Sequence, residues 1–184
     1  MIFTPVEPTT MKLILQTPRL LLREMDCGDL DFMAEMLGDP EVMRFFLQTD
    51  NRAEAAASIQ RQIERYAAWG YGPWLVLDKE SGRPLGRVGL LRQEVDGVEE
   101  VEVGYMIHRP YWRQGFAFEA AAACRDYAFS KLGRDRVISL IRPENLPSQA
   151  VARKLGMLPE KETMHHELRH VVFAMQRSHS STKH

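Results

Sequence analysis

The 184-residue sequence has only two cysteines, Cys27 and Cys124, far apart and outside any CxxC spacing. That excludes a disulfide framework and a cysteine-based zinc site, and it makes a reducing compartment the expectation. No apolar run approaches the ~18 residues of a membrane-spanning helix, so no membrane partner is expected. The opening MIFTPVEPTT lacks the basic-then-apolar order of a secretion signal. An excess of one charge is also missing. With 24 Lys and Arg against 25 Asp and Glu, nothing global attracts a polyanion, and nucleic acid is not an expected partner. Neither GxxxxGK[ST] nor GxGxxG occurs, which removes the P-loop and the Rossmann turn. What is present is an average globular composition, 45% hydrophobic and 27% charged, at a length suited to one core. A single cytoplasmic domain over 1–184 is expected, with a loose leader at 1–10 and a disordered tail at 177–184.

Pattern along the chain divides it into α and β regions. LILQTPRLLLRE, broken by Pro18, reads as two short extended pieces. Asp26 has the character of an N-cap before Leu30, Met33, Ala34 and Leu37 at helical spacing, and a turn is expected over Pro40 to Leu47. A second helix begins near Asn51 and places Ile59, Ile63, Tyr66 and Ala67 on one face before Gly70 and Gly72. The period then changes: WLVLD, LGRVGLL and VEEVEVGYMI read as an antiparallel meander, with Asp96-Gly97 as the tight turn between the last two. A long helix from Gly115 to Lys131, the buried strand RVISLI, a short helix SQAVARKLG and a last strand ELRHVVFAMQ complete the pattern.

The junction VEVGYMIHRPYWRQGFAFEA carries the chemistry. A strand running through a short loop into a helix presents unpaired N–H groups. Gly115 permits close approach and Ala117 keeps the surface low. Arg113 and Gln114 can add side-chain donors, so the amides from Gln114 to Phe118 can cradle a pyrophosphate. Taken alone, the same residues also describe an ordinary helix entry.

The sequence resembles the GCN5-related N-acetyltransferases, and within them the RimJ/RimL-like group. The likeness runs from about Pro18 to Met175 and is carried, in the family's order, by TPRLLLRE, GRVGL, VEVGYMI, YWRQGFAFEA, NLPSQAVARKLGM and the final hydrophobic strand. The resemblance implies an α+β fold, in which helices flank a strongly bent, mixed and mostly antiparallel sheet of about seven strands. The family's fourth and fifth strands splay, with acetyl-CoA in the gap as cosubstrate. It places Arg113, Gln114, Gly115, Phe116 and Ala117 on the pyrophosphate loop, Phe118 just beyond, and Met106, Ile107 and His108 along the pantetheine arm. Asn145 and Ser148 fall near the thioester. Trp112 stands where the general pattern prefers Gln or Arg, as is familiar in the RimJ/RimL-like group. The implied activity is direct transfer of an acetyl group to a primary amine, a protein N-terminus or a small molecule, by a monomer or homodimer. The alternative is a non-catalytic acyl-CoA-binding module.

Such a reaction needs a base, oxyanion donors and a proton for the leaving thiolate. Alternation puts Glu102 and Gly104 on the opposite strand face from Val101, Val103 and Tyr105, making Glu102 the first candidate base, if it is not simply an exposed strand residue. His108 is a second candidate base, or a loop residue beside the cofactor. The oxyanion donor is expected near Met106. Relatives often carry a tyrosine acid where Ala152 and Arg153 stand here, so Asn145, Ser148 or water must protonate the thiolate, or it leaves unassisted. His165, His166 and His170 have two histidines at i, i+4 but lack the HExxH order, and no metal is expected. Phe45, Phe46, Trp69, Tyr71 and Trp74 are candidates for the acceptor wall.

Overall fold

In the computed structural model, which describes residues 12–178, apolar runs bounded by turn residues become strands. They are β1 (Leu13–Gln16), β2 (Leu20–Arg23), β3 (Pro73–Asp78), β4 (Pro84–Val95), β5 (Val98–Ile107), β6 (Arg136–Ile141), β7 (Leu158–His165) and β8 (Leu168–Gln176). Over the described residues they form one eight-stranded sheet in the order β1-β2-β3-β4-β5-β6-β8-β7. Helices α1 (Leu30–Gly38), α2 (Pro40–Met43), α3 (Arg52–Trp69), α4 (Phe116–Ser130) and α5 (Leu146–Lys154) cover it. The leader expected at 1–10 and most of the tail expected at 177–184 lie outside the described residues.

Local chemistry accounts for most boundaries. The Asn51 side chain accepts from the Ala53 and Glu54 amides while Glu54 returns to the Asn51 N–H, a capping box, and Gly70 ends α3 at φ 75°. Asp26 does cap, but it caps a 3₁₀ turn over Cys27–Asp29, and α1 follows from Leu30. The segment expected as a turn from Pro40 contains α2, with Asp39 capping it through the Glu41 amide. Asp96 and Gly97 both have positive φ, 52° and 78°, and close the β4–β5 hairpin as expected.

Two clusters sandwich the sheet. On one face Met33, Met36, Leu37 and Ile59 of α1 and α3 pack against Leu75 and Leu77. On the other, Ala120, Cys124 and Ala128 form a fully buried stripe along α4, four residues apart, against a cluster that includes Trp74, Val88, Leu90 and Val103. Small residues let α4 approach the sheet closely, so its N-terminus is held beside the end of β5.

One seam in the sheet is open. The β4–β5 ladder is continuous from Gly86 opposite Ile107 to Val95 opposite Val98. The parallel β5–β6 pair, among the described residues, is bridged only where Glu102 faces Ile138. Beyond that bridge the strands part.

Candidate active site

Backbone parity decides which groups face the opening. Ser139 Oγ donates to the Val103 carbonyl at 2.7 Å, so odd-numbered β5 residues direct their polar groups toward β6. The even-numbered ones face β4: a Cβ on Gly86 would collide with the Met106 carbonyl, and the His108 N–H donates to Leu85 O at 2.8 Å. The donors facing the gap are therefore the Tyr105 and Ile107 amides. Met106 points its own amide into the ladder, so the gap-facing amides near it are those of its two neighbours.

At the far end of the gap Arg109–Tyr111 form a 3₁₀ turn, and α4 begins. Trp112 Nε1 donates to the Ile107 carbonyl at 2.6 Å, fixing the loop to the end of β5. Arg113 and Gly115 both adopt left-handed φ, 62° and 82°. Gly115 is the N-cap of α4 and no side chain caps the helix, so the first-turn amides of Phe116, Ala117 and Phe118 remain without intrahelical acceptors. Free amides arranged in this way can cradle a phosphate anion.

Arg19 braces the cradle from behind. Its guanidinium donates to Gln114 O at 3.0 Å, lies 4.5 Å over the Phe116 ring and pairs with Glu119 at 2.6 Å. Thr17 Oγ1 and the Arg19 amide also donate to Glu119. Burial raises the Glu119 pKa, but these hydrogen bonds and the adjacent guanidinium outweigh it and hold the carboxyl below its ordinary value.

Two cavities open from the gap, of about 790 and 490 Å³. The larger is bounded by Ile107, Trp112, Arg113 and Gly115 to Phe118, and by Pro147 and Val151 of α5. The smaller lies over the α3 face of β4 and β5 and is lined by Glu102, Gly104, Gln93 and Arg87, with the β7–β8 hairpin on its far side. Phe45, Phe46, Tyr105, Met106, Asn145 and Ser148 border both. The two chambers therefore meet where β5, α5 and the segment after α2 converge.

Glu102 lines the smaller chamber. Its carboxylate accepts from Gln93 Nε2 at 2.6 Å and from the Leu140 amide at 3.3 Å. Burial raises its pKa above the ordinary carboxylate value, opposed by those two hydrogen bonds and by Arg65. Asn145 caps α5, its Oδ1 accepting from the Ser148 amide at 3.1 Å. His108 is not brought to either chamber. It is 7% exposed, with its ring against Phe32 and Tyr111, and its amide and carbonyl are bonded to Leu85 and Tyr111. The Gln114 side chain turns back to Pro110 O at 3.2 Å, away from the cradle. Of the candidate aromatics, Phe45 and Phe46 line the chambers. Trp74 is fully buried against Tyr127, and Trp69 and Tyr71 pack on each other outside both chambers.

Several residues at the site are illegible in linear sequence. The Tyr105 hydroxyl donates to Ser148 O at 2.6 Å, bringing a tyrosine from β5 to the place that Ala152 and Arg153 leave without one. Burial raises its pKa. Ser58, Arg61, Gln62 and Arg65 line the smaller chamber from α3, and their i, i+3, i+4, i+7 spacing is the one signal of it in the sequence. His165, His166 and His170 also line it, and among the described residues no three His, Cys, Asp or Glu side chains cluster as metal ligands.

The chain as a whole is similar to known proteins. A family model described as an acetyltransferase (GNAT) domain matches residues 19–158. YkkB of Bacillus subtilis (strain 168) is 33% identical over 144 residues, 78% of this chain and 84% of that protein. The uncharacterized N-acetyltransferase p20 of Bacillus licheniformis is 31% identical over 150 residues, 79% of this chain and 83% of that protein. A solved structure of RimL, described as a ribosomal L7/L12 alpha-N-protein acetyltransferase in complex with coenzyme A, superposes with a TM-score of 0.75 at 16% identity. It covers 90% of this chain and 98% of that one.

Proposed function

The chain belongs to the GNAT acetyltransferase family, as an N-acetyltransferase of the RimL-like kind, and from that premise we propose that it transfers the acetyl group of acetyl-CoA directly to a primary amine within a ternary complex. The observation that carries the reading is the meeting of two chambers at Tyr105, Met106, Asn145 and Ser148. One ends at an uncapped helix N-terminus suited to a pyrophosphate, and the other holds a carboxylate of raised pKa suited to an ammonium proton.

The cosubstrate supplies an activated thioester, and the chain supplies position, charge and proton transfer. The amides of Phe116, Ala117 and Phe118, with Arg113 beside them, hold the diphosphate. Glu102, directly or through water, takes the proton from the acceptor ammonium, and the free amine forms a bond to the thioester carbonyl carbon. The Tyr105 or the Ile107 amide, whichever the bound thioester lies against, donates to the carbonyl oxygen as it becomes negative. When the C–S bond breaks, the adduct nitrogen gives up its second proton and the thiolate gains one, relayed through water or through the Ser148 or Tyr105 hydroxyl. Holding both reactants at one junction removes much of the entropic barrier to a bimolecular step.

Release of free thiol on adding primary amines to protein and acetyl-CoA tests the proposal. Amine-dependent release that saturates in both substrates is expected. Acetyl-CoA binding with no thiol release for any amine would leave only an acyl-CoA-binding module.

A further inference from the structure

The smaller chamber is not electrically neutral. Arg61 and Arg65 reach it from α3, Arg87 from β4 and Arg142 from the end of β6, against Asp50 and Glu102 as its carboxylates. Arg87 Nη1 donates to Ser58 Oγ at 3.1 Å and Arg65 Nη1 to Gln62 Oε1 at 2.9 Å, so neutral residues orient these guanidiniums without cancelling their charge. Among the described residues Arg61, Arg65 and Arg87 form no ion pair, whereas Arg19, Arg23, Arg52 and Arg136 each hold a carboxylate.

The three guanidiniums repel one another, and the chamber's two carboxylates attract them from a distance, Asp50 acting on Arg87 and Glu102 on Arg65, without closing an ion pair. Burial, opposed by Asp50 and reinforced by Arg65 and Arg61, lowers the Arg87 pKa to about 10, so Arg87 stays charged at neutral pH. Guanidiniums keep their charge and fork naturally onto carboxylates and phosphates. Two more polar atoms on the chamber's residues, Arg142 Nε and His165 Nε2, are buried with no partner. A polycationic acceptor would meet like charge here, whereas an anionic group would find several donors and relieve their repulsion.

We propose that Arg61, Arg65 and Arg87 form an anion-binding subsite in the acceptor chamber, and that the amine acetylated by this chain carries a carboxylate or phosphate group. The inference rests on the transferase reading above and adds the acceptor's chemistry. Glu102 receives the ammonium end and the arginines hold the acidic end. A chamber of about 490 Å³ accommodates a small amino acid or aminophosphate, or the first residues of an acidic peptide N-terminus.

The test has two arms, both on the full chain with CoA or acetyl-CoA present so that the diphosphate cradle is filled. In the first, glutarate, an anion with no amine, is titrated calorimetrically beside neutral glutaramide. Glutarate alone should bind, and Arg87→Met and the double variant Arg61→Gln/Arg65→Gln should each weaken it ~10- to 100-fold, the size expected for lost charge-assisted hydrogen bonds. The double variant keeps the test decisive if Arg87→Met fails to fold, since Arg61 is exposed on α3. In the second arm, thiol release is compared for matched neutral, cationic and anionic amines, as small molecules and as short peptides. Anionic acceptors should have the higher kcat/KM and lose it in the same variants, and the better of the two formats identifies the source. Glutarate binding without transfer would keep the subsite and remove the transferase reading. Equal turnover of neutral and anionic amines, or no glutarate binding, would overturn the subsite and leave the transferase reading untouched.

Discussion

Replacing Glu102 by glutamine removes the proposed base with little disturbance to its surroundings. The Leu140 amide can still donate to the side-chain oxygen that replaces Oε1, and Gln93 can flip its own amide to accept from the new NH₂. The stability cost should be about 1 kcal/mol or less. Acetyl-CoA affinity should be unchanged, because Glu102 lines the smaller chamber and not the larger. Loss of a general base lowers kcat by roughly 100- to 10,000-fold, or about 3–5 kcal/mol of barrier. The pH dependence gives the sharper test. Burial places the Glu102 pKa above the ordinary carboxylate value, so wild-type kcat/KM should fall as pH drops through that raised value. In Glu102→Gln that limb should vanish, leaving only the rise from deprotonation of the amine itself. Thiol release measured from about pH 5 to 9 reads both effects. An unchanged acid limb, or a kcat within about threefold of wild type, would remove Glu102 from the mechanism.

Gly115→Asp should weaken acetyl-CoA binding at least ~10-fold, because a carboxylate beside phosphate repels it. Gly115→Asn, which also tolerates the left-handed φ of 82°, should retain most of the affinity, and equal loss in both would refute the charge explanation. Glu119→Gln should lower the melting temperature at neutral pH. The Glu119 pKa is depressed in the folded state, so its stabilisation is present above the unfolded pKa and is lost as pH falls through the folded value. The wild type and variant should therefore converge in acid, and a constant difference would contradict the assignment. Tyr105→Phe removes the hydroxyl bonded to Ser148 O and should cost about 1 kcal/mol of stability by denaturant unfolding. A fall in kcat beyond what Ser148→Ala produces would show that the hydroxyl also serves the thiolate.

Elements with strong local signals are legible in the sequence. The Asn51 capping box, the Asp96-Gly97 turn and the continuous apolar β3 each announce themselves in a few residues. β7 does not, and without it the pattern yields seven strands where the sheet has eight. LPEKETMH is almost wholly exposed along the sheet edge, so no face alternates, and its charges suit an edge that must not recruit another strand. Its hairpin turn is His166-Glu167, at φ 48° and 63°, with no glycine or asparagine to mark it. The cradle from Arg113 to Phe118 is legible because it is contiguous. The smaller chamber is not: the periodicity of α3 points to an apolar face through Ala67, yet Ala67 is exposed while Ser58 and Gln62 are 3% exposed. A polar helix face buried against a cavity resembles a solvated one in sequence. Which amides near Met106 face the gap is not legible either, because amide direction depends on which side of β5 remains paired, and the single bridge at Glu102 and Ile138 reveals that.

Calorimetric titration of the full chain with acetyl-CoA, beside dephospho-CoA and at two salt concentrations, tests the cradle at the α4 N-terminus most directly. One binding site per chain is expected, weakened by salt and lost in Gly115→Asp but not in Glu102→Gln. No heat at millimolar acetyl-CoA would contradict it, and so would binding indifferent to Gly115→Asp.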